Sequence, residues 1–333
     1  MSRILVVAPA WVGDMVMSQV LLTSLKRHGA SSIDVVAPPA TAALAKRMPE
    51  VRDAYTLHVG HGELGIGKRW TAARELADNG YDQAIVLPNS LKSSLLPAFA
   101  GIPLRTGFLG EMRYFFLNDP RLLNKEALPR MVDRFMALGP APDEAITPPS
   151  LEIDRANQQA LLASLSLATD KPVLAICPGA EFGEAKRWPA AHFAAVADEA
   201  VARGMAVWLF GGPGDVSAGA AITGITGQKD DIVDLTGQTS LLDAVDLLAA
   251  ASLVISNDSG LMHVAAATGR RTLVVYGSTS PDFTPPLTDT AEIFRLGLDC
   301  SPCFKRVCPL GHTDCLNKLD PETLFPHLGE RIA

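Results

Sequence analysis

Short apolar runs alternate with amphipathic stretches along the whole chain, and glycine, proline or polar turns separate them. Ile4–Ala10, Ser32–Ala37 and Gln83–Leu87 read as strands. Met15–His28, Thr41–Met48 and Lys68–Asn79 read as helices. Trp11-Val12-Gly13-Asp14 forms the expected turn between the first strand and the first helix, and Gly29 stands just past that helix. Pro88-Asn89-Ser90 leads into a helix ending near Ala100; residues 102–128 are less regular; Pro129–Leu138 resumes as helix. This strand-turn-helix rhythm predicts parallel strands with helical crossovers.

Gly139–Pro149 carries four prolines in eleven residues and reads as a stiff, non-helical connector. Beyond it the rhythm repeats. Val173–Cys177, Ala206–Phe210, Ile232–Leu235, Leu253–Ile255 and Thr272–Tyr276 are expected strands. Pro189–Arg203, Ser240–Ala250 and Leu261–Ala267 are expected helices. The reading is two doubly wound α/β domains, residues 1–160 and 161–333, with the last helix free to pack back on the first domain. Such a pair leaves a cleft between facing strand ends, where ligands collect.

One turn carries the sharpest chemistry. Asn257-Asp258-Ser259-Gly260 breaks the apolar strand Leu253-Val254-Ile255 and opens the helix closed by Gly269. The amides of Ser259, Gly260 and Leu261 have no helical partner there. They and the helix dipole favour an anion by about 0.3–1 kcal/mol. Capping by Asp258 or Ser259 is the plainer account of the same residues, and one residue can cap and bind at once.

Length, 333 residues, exceeds what one core usually holds and agrees with two domains. A net charge of −7 argues against nucleic acid as partner. The charge is uneven: residues 1–150 hold 16 basic and 14 acidic side chains, and the remainder 13 and 22. An anionic partner therefore meets the first half more easily, and Lys68, Arg69, Lys92 and Arg113 are its candidate contacts. No apolar run reaches the length of a membrane span, and the start, Ile4-Leu5-Val6-Val7 followed by Gly13-Asp14, is unlike a signal peptide. The expected compartment is the cytoplasm.

Asp14 follows the first strand, where an aspartate usually caps a helix but can also take a proton from a hydroxyl. Gly13 beside it admits close approach. Lys186-Arg187 follows the first strand of the second half and reads either as a solvated pair or as cations over a diphosphate. Asp215, after Gly211-Gly212-Pro213-Gly214, suits turn chemistry or a sugar hydroxyl. His263 lies about a turn into its helix, where a lone histidine usually packs. Cys300-x2-Cys303-x4-Cys308-x6-Cys315, with His312, begins with zinc-like spacing and continues irregularly. Structural zinc, disulfides and free thiols all remain open. Neither an Asp-x-Asp pair nor a Walker lysine occurs, and the Gly-x-Gly-x-x-Gly dinucleotide fingerprint is missing from the first turn.

Trp11-Val12-Gly13-Asp14-Met15-Val16-Met17-Ser18-Gln19, Lys186-Arg187-Trp188-Pro189, Ser256–His263 and Cys300-Ser301-Pro302-Cys303-Phe304-Lys305-Arg306 with Gly311-His312 occur in order along the chain. Together they resemble the ADP-heptose:lipopolysaccharide heptosyltransferases of glycosyltransferase family 9, type II more than type I in the opening motif. The resemblance implies a GT-B fold of two Rossmann-like domains, acceptor on the first and nucleotide-sugar on the second. It implies inverting, metal-independent transfer of L-glycero-D-manno-heptose from ADP-heptose to a heptosyl-Kdo2-lipid A-type acceptor, without a cofactor. Asp14 falls on the family's general base and Lys186 on its diphosphate contact. Gly13, Lys186, Asp215, Asp258, Ser259, Gly260 and His263 are the implied donor contacts, Asp215 standing where type I has glutamate. Peripheral contact with the cytoplasmic face of the inner membrane accompanies such an acceptor. The alternatives are a type I or III acceptor choice, or a sugar-nucleotide epimerase on the same fold.

Overall fold

The computed structural model describes residues 2–60 and 62–329. The chain divides into two compact units, Met1–Pro149 and Ser150–Ala333.

The first unit runs β1 (Ser2–Val7), α1 (Val12–Arg27), β2 (Ala30–Ala37), α2 (Pro39–Ala45), β3 (Asp53–Thr56), α3 (Ile66–Ala77), β4 (Gln83–Val86), α4 (Leu91–Phe99), β5 (Leu104–Phe108), β6 (Asp119–Arg121) and α5 (Met131–Met136). Its six strands are all parallel, in the order β3-β2-β1-β4-β5-β6. Helices cover both faces of such a sheet, so the central strands are apolar throughout rather than alternating. Ile4, Leu5, Val6 and Val7 are accordingly all buried.

The second unit runs α6 (Arg155–Ser164), β7 (Val173–Cys177), α7 (Ala190–Ala202), β8 (Ala206–Leu209), α8 (Val216–Ile225), β9 (Ile232–Asp234), α9 (Leu241–Leu248), β10 (Leu253–Asn257), α10 (Gly260–Ala267), β11 (Thr272–Val275), β12 (Ala291–Phe294) and α11 (Asp314–Asn317). Its parallel order, β9-β8-β7-β10-β11-β12, repeats that of the first sheet strand for strand. In each sheet the order reverses beside the unit's first strand: between β1 and β4, and between β7 and β10. Ligands of open α/β sheets bind outside the strand ends at such a reversal.

Several elements depart from expectation. Trp11 is the N-cap of α1, so Gly13 and Asp14 lie inside its first turn rather than in a preceding loop. Strands β5 and β6 occupy the stretch that reads as irregular; β6 is a short edge strand that tolerates Pro120. The unit boundary precedes α6, because that helix is tied to α9: Asn157 Nδ2 donates to Asp246 Oδ2 at 2.8 Å, and the Asp154 amide to Asp246 Oδ1 at 2.9 Å. The last helical segment is Pro321–His327. Leu324 and Leu328 join the second unit's core, and Arg203 Nη1 donates to Leu328 O at 2.9 Å.

Candidate active site

The reversal point of the second sheet is densely bonded. Asn257, the last residue of β10, holds two loops: its Nδ2 donates to Pro178 O at 2.7 Å, and its Oδ1 accepts from Trp188 N at 3.1 Å. This bond pins the segment that carries Lys186 against the end of β10. Lys186 Nζ donates to Asp258 Oδ2 at 2.6 Å and to Asp258 O at 3.2 Å. Both side chains are nearly buried, at 13% and 4% exposure. A pair this buried adds little net stability, but it fixes where the ammonium stands. Thr279 Oγ1 donates to the same Asp258 oxygen at 2.5 Å, and Thr284 Oγ1 reaches Oδ1 at 3.5 Å.

Ser259 has the extended backbone of an N-cap, yet no side chain caps α10. Its hydroxyl lies 3.1 Å from Ser256 Oγ instead. Asp258 is turned to Lys186, so the capping account of this turn fails and its first amides stay directed at the strand ends. His263, buried in the first turns of α10, is held neutral: burial lowers its pKa, Asp258 opposes that and Lys186 adds to it, and the net value is about 4.

Arg187 and Asp215 form a second, looser pair, Nη2 to Oδ1 at 3.9 Å, so Lys186-Arg187 is not a solvated surface pair. Asp215 also accepts from Gly212 N at 3.0 Å. A Cβ on Gly179 would lie 2.4 Å from its carboxylate, and one on Gly211 2.6 Å from its Cβ. Glycine at both positions lets this carboxylate lie over the ends of β7 and β8. Ser278 Oγ and Arg187 Nε, both buried, have no protein partner. Sequence reasoning did not single out Thr279, Thr284, Asn257 or Ser278 as functional. The run Gly277-Ser278-Thr279-Ser280 directly after a buried strand is the signal that could have found two of them.

The corresponding point of the first sheet is built differently. Asp14 is half-buried in the first turn of α1, after β1. The carboxylate is favoured there by the helix dipole. Across the reversal, Lys92 is half-buried at the start of α4, and Glu111 Oε2 accepts the neighbouring Leu91 amide at 2.7 Å.

Two of the four expected acceptor contacts are structural instead. Arg113 is fully buried; its guanidinium donates to Phe108 O, to Pro88 O at 2.6 Å and to Ser90 O at 3.2 Å. Desolvation pushes its pKa down to about 10. Carbonyls occupy its donors, so it ties the β4 and β5 exits together rather than awaiting an anion. Arg69 is buried with its Nε on Leu64 O at 2.8 Å. Lys68 is exposed and paired with Glu63 at 2.9 Å.

All five cysteines are free. Among the described residues, no group of three or more His, Cys, Asp or Glu side chains is arranged to hold a metal ion. Backbone amides, that of Thr313 foremost, lower the Cys308 pKa, whereas burial raises that of Cys315. No helix among the described residues is long and apolar enough to cross a membrane.

Two parallel six-stranded α/β sheets, with charged side chains gathered where the strand order reverses, are the arrangement of a GT-B-type glycosyltransferase. The chain belongs to glycosyltransferase family 9 (heptosyltransferase), whose profile matches residues 69–314. It is 45% identical to lipopolysaccharide heptosyltransferase 2 of Salmonella typhimurium, over 99% of both chains. It is 46% identical to the enzyme of that name from Escherichia coli K12, over 98% of this chain and 97% of that one. The solved E. coli ADP-heptose lps heptosyltransferase II superposes with a TM-score of 0.87 at 40% identity, over 98% and 97% of the two chains.

Proposed function

We propose that the protein transfers L-glycero-D-manno-heptose from ADP-heptose to the first heptose of the lipopolysaccharide inner core, with inversion and without a metal. The observation that carries this reading is the buried Lys186–Asp258 pair at the uncapped start of α10, in a chain alike over its full length to heptosyltransferase 2 enzymes. Asp14 takes the proton of the acceptor hydroxyl. The freed oxygen bonds to the anomeric carbon as the bond from that carbon to the diphosphate oxygen breaks. Lys186 and the first amides of α10 stabilise the charge that gathers on departing ADP. Asp258 holds the lysine in place for this, and Asp215 receives a hydroxyl of the nucleotide-sugar. The acceptor binds the first unit, with Lys92 and Lys68 as its remaining candidate cations.

The test is product mass. Purified protein is incubated with ADP-heptose and core acceptors carrying no heptose or one, with and without excess EDTA. A gain of one heptose on the one-heptose acceptor alone, undiminished by EDTA, is the expected result. A gain on the heptose-free acceptor means a type I acceptor choice. Loss in EDTA restored by magnesium or manganese overturns metal independence. Conversion of ADP-heptose without transfer means an epimerase.

A further inference from the structure

The segment 300–306 lies against the Lys186 turn, and no strand pairing accounts for it. Ser301 Oγ donates to Gly277 O at 2.6 Å and Phe304 N to Ser278 O at 2.7 Å, so the segment crosses the exit of β11. It then reaches the Lys186 turn, where Ala185 N donates to Arg306 O at 3.1 Å. The approach is close enough that a Cβ on Gly183 would lie 2.4 Å from that same oxygen. Side chains extend the contact. The Phe182 ring has Lys186 Nζ at 5.2 Å from its centroid and Arg306 Cζ at 5.5 Å.

Two cations on one ring repel each other unless charge of the opposite sign lies near both. Lys186 has Asp258. Arg306 is exposed, and no carboxylate among the described residues pairs with it. The unit around it is acidic: residues 151–333 hold 13 basic and 22 acidic side chains, so a lone arginine here would readily find a carboxylate. Its backbone is instead fixed on the Lys186 turn and its guanidinium is kept on the ring face, beside the cation already assigned to the leaving group. A planar guanidinium presents paired donors that match phosphate oxygens.

We propose that Arg306 is a second cationic contact for the donor diphosphate, with Phe182 as the platform that sets its position relative to Lys186. This rests on the reading of the Lys186–Asp258 site as the donor site. A diphosphate offers two phosphoryl groups and engages both cations; a monophosphate engages one.

The experiment is calorimetric titration of the full chain with ADP and with AMP, for the wild type, Arg306→Ala and Arg306→Lys. Arg306→Ala keeps the backbone bond to Ala185, so its melting temperature stays near that of the wild type. ADP binding to it weakens by about 10–100-fold, the range for a hydrogen bond to a charged group. AMP binding weakens by less than about threefold, and Arg306→Lys recovers part of the ADP affinity. The kcat/KM for ADP-heptose falls with ADP affinity, while the acceptor KM holds. Equal ADP affinity in wild type and Arg306→Ala overturns the proposal, as does an equal loss for ADP and AMP. A wild type that binds no ADP overturns the donor-site reading itself, a separately visible outcome.

Discussion

The two sheets share one strand order, yet their reversal points are furnished in opposite ways. In the second unit, the exits of β7, β10 and β11 are locked to one another by Lys186–Asp258, Asn257 and Thr279. In the first unit, Arg113 is spent on the carbonyls at the exits of β4 and β5, and Asp14 stands in the first turn of α1. A site that must hold a fixed diphosphate gains from preorganised charge, which costs no reorganisation during the reaction. A site that must remove one proton needs one carboxylate with the right reach. On the proposed function, the same topology serves binding in one unit and chemistry in the other.

Replacing Asp14 tests that division with the largest expected effect. Asp14→Asn keeps the size of the side chain and cannot take a proton. Turnover falls by about 10²–10⁴, while ADP titrates as in the wild type. Stability drops by only about 0.3–1 kcal/mol, the worth of a carboxylate in a first helical turn. Normal turnover in a folded, ADP-binding Asp14→Asn protein removes Asp14 from the reaction and dissolves the contrast between the units.

The sequence carried the central strands and the turns after them, because a buried parallel strand is a continuous apolar run broken by glycine or a polar residue. The strands at the β6 end of the first sheet lacked that mark. Leu104–Phe108 and Asp119–Arg121 are short, mixed in polarity and, in the second case, centred on proline. Helix α8 was hidden by its two glycines and β-branched residues. Within the site, Lys186 and Asp258 were each visible as residues at strand ends. Their pairing was not, because it depends on β7 lying beside β10, a neighbourhood set by sheet order 72 positions apart in sequence. Arg113 misled for the converse reason: an arginine in an irregular stretch reads as exposed, and nothing local shows that carbonyls of two strand exits converge on it.

His263 sharpens the comparison from the donor side, at intermediate size. Its pKa sits near 4 in the folded protein against an ordinary value of 6.5, because burial outweighs the opposing charge of Asp258 and Lys186 adds to the lowering. Between these values the unfolded chain binds the proton and the folded chain does not. Stability tied to His263 is therefore complete above the ordinary value and is lost as pH falls toward 4, by up to about 3 kcal/mol. Urea unfolding of wild type and His263→Gln from neutral pH to pH about 4.5 measures it. The variant's stability falls less steeply over that window; parallel curves mean that His263 is not buried in neutral form.

The smallest effect belongs to Lys92, and it bears on how the first unit meets an anionic acceptor. Lys92 is the second residue of α4, where its charge opposes the helix dipole. No acidic side chain among the described residues forms an ion pair with it. A cation kept against the dipole costs the helix about 0.3–1 kcal/mol, a cost offset only when an anion binds there. Lys92→Ala is therefore expected to hold or slightly raise the melting temperature. The acceptor KM rises by about two- to fivefold, the size of a solvent-accessible ionic contact of at most about 1 kcal/mol. The KM for ADP-heptose stays unchanged. Lys68→Ala shifts the acceptor KM less, because Glu63 already neutralises that lysine at 2.9 Å. The rise for Lys92→Ala shrinks as salt is added, since screening weakens a solvent-accessible contact. An unchanged acceptor KM at low salt would leave the first unit with no cation for its acceptor among those the charge balance suggested. Binding there would then rest on hydroxyl and backbone contacts around Asp14 and Asn89.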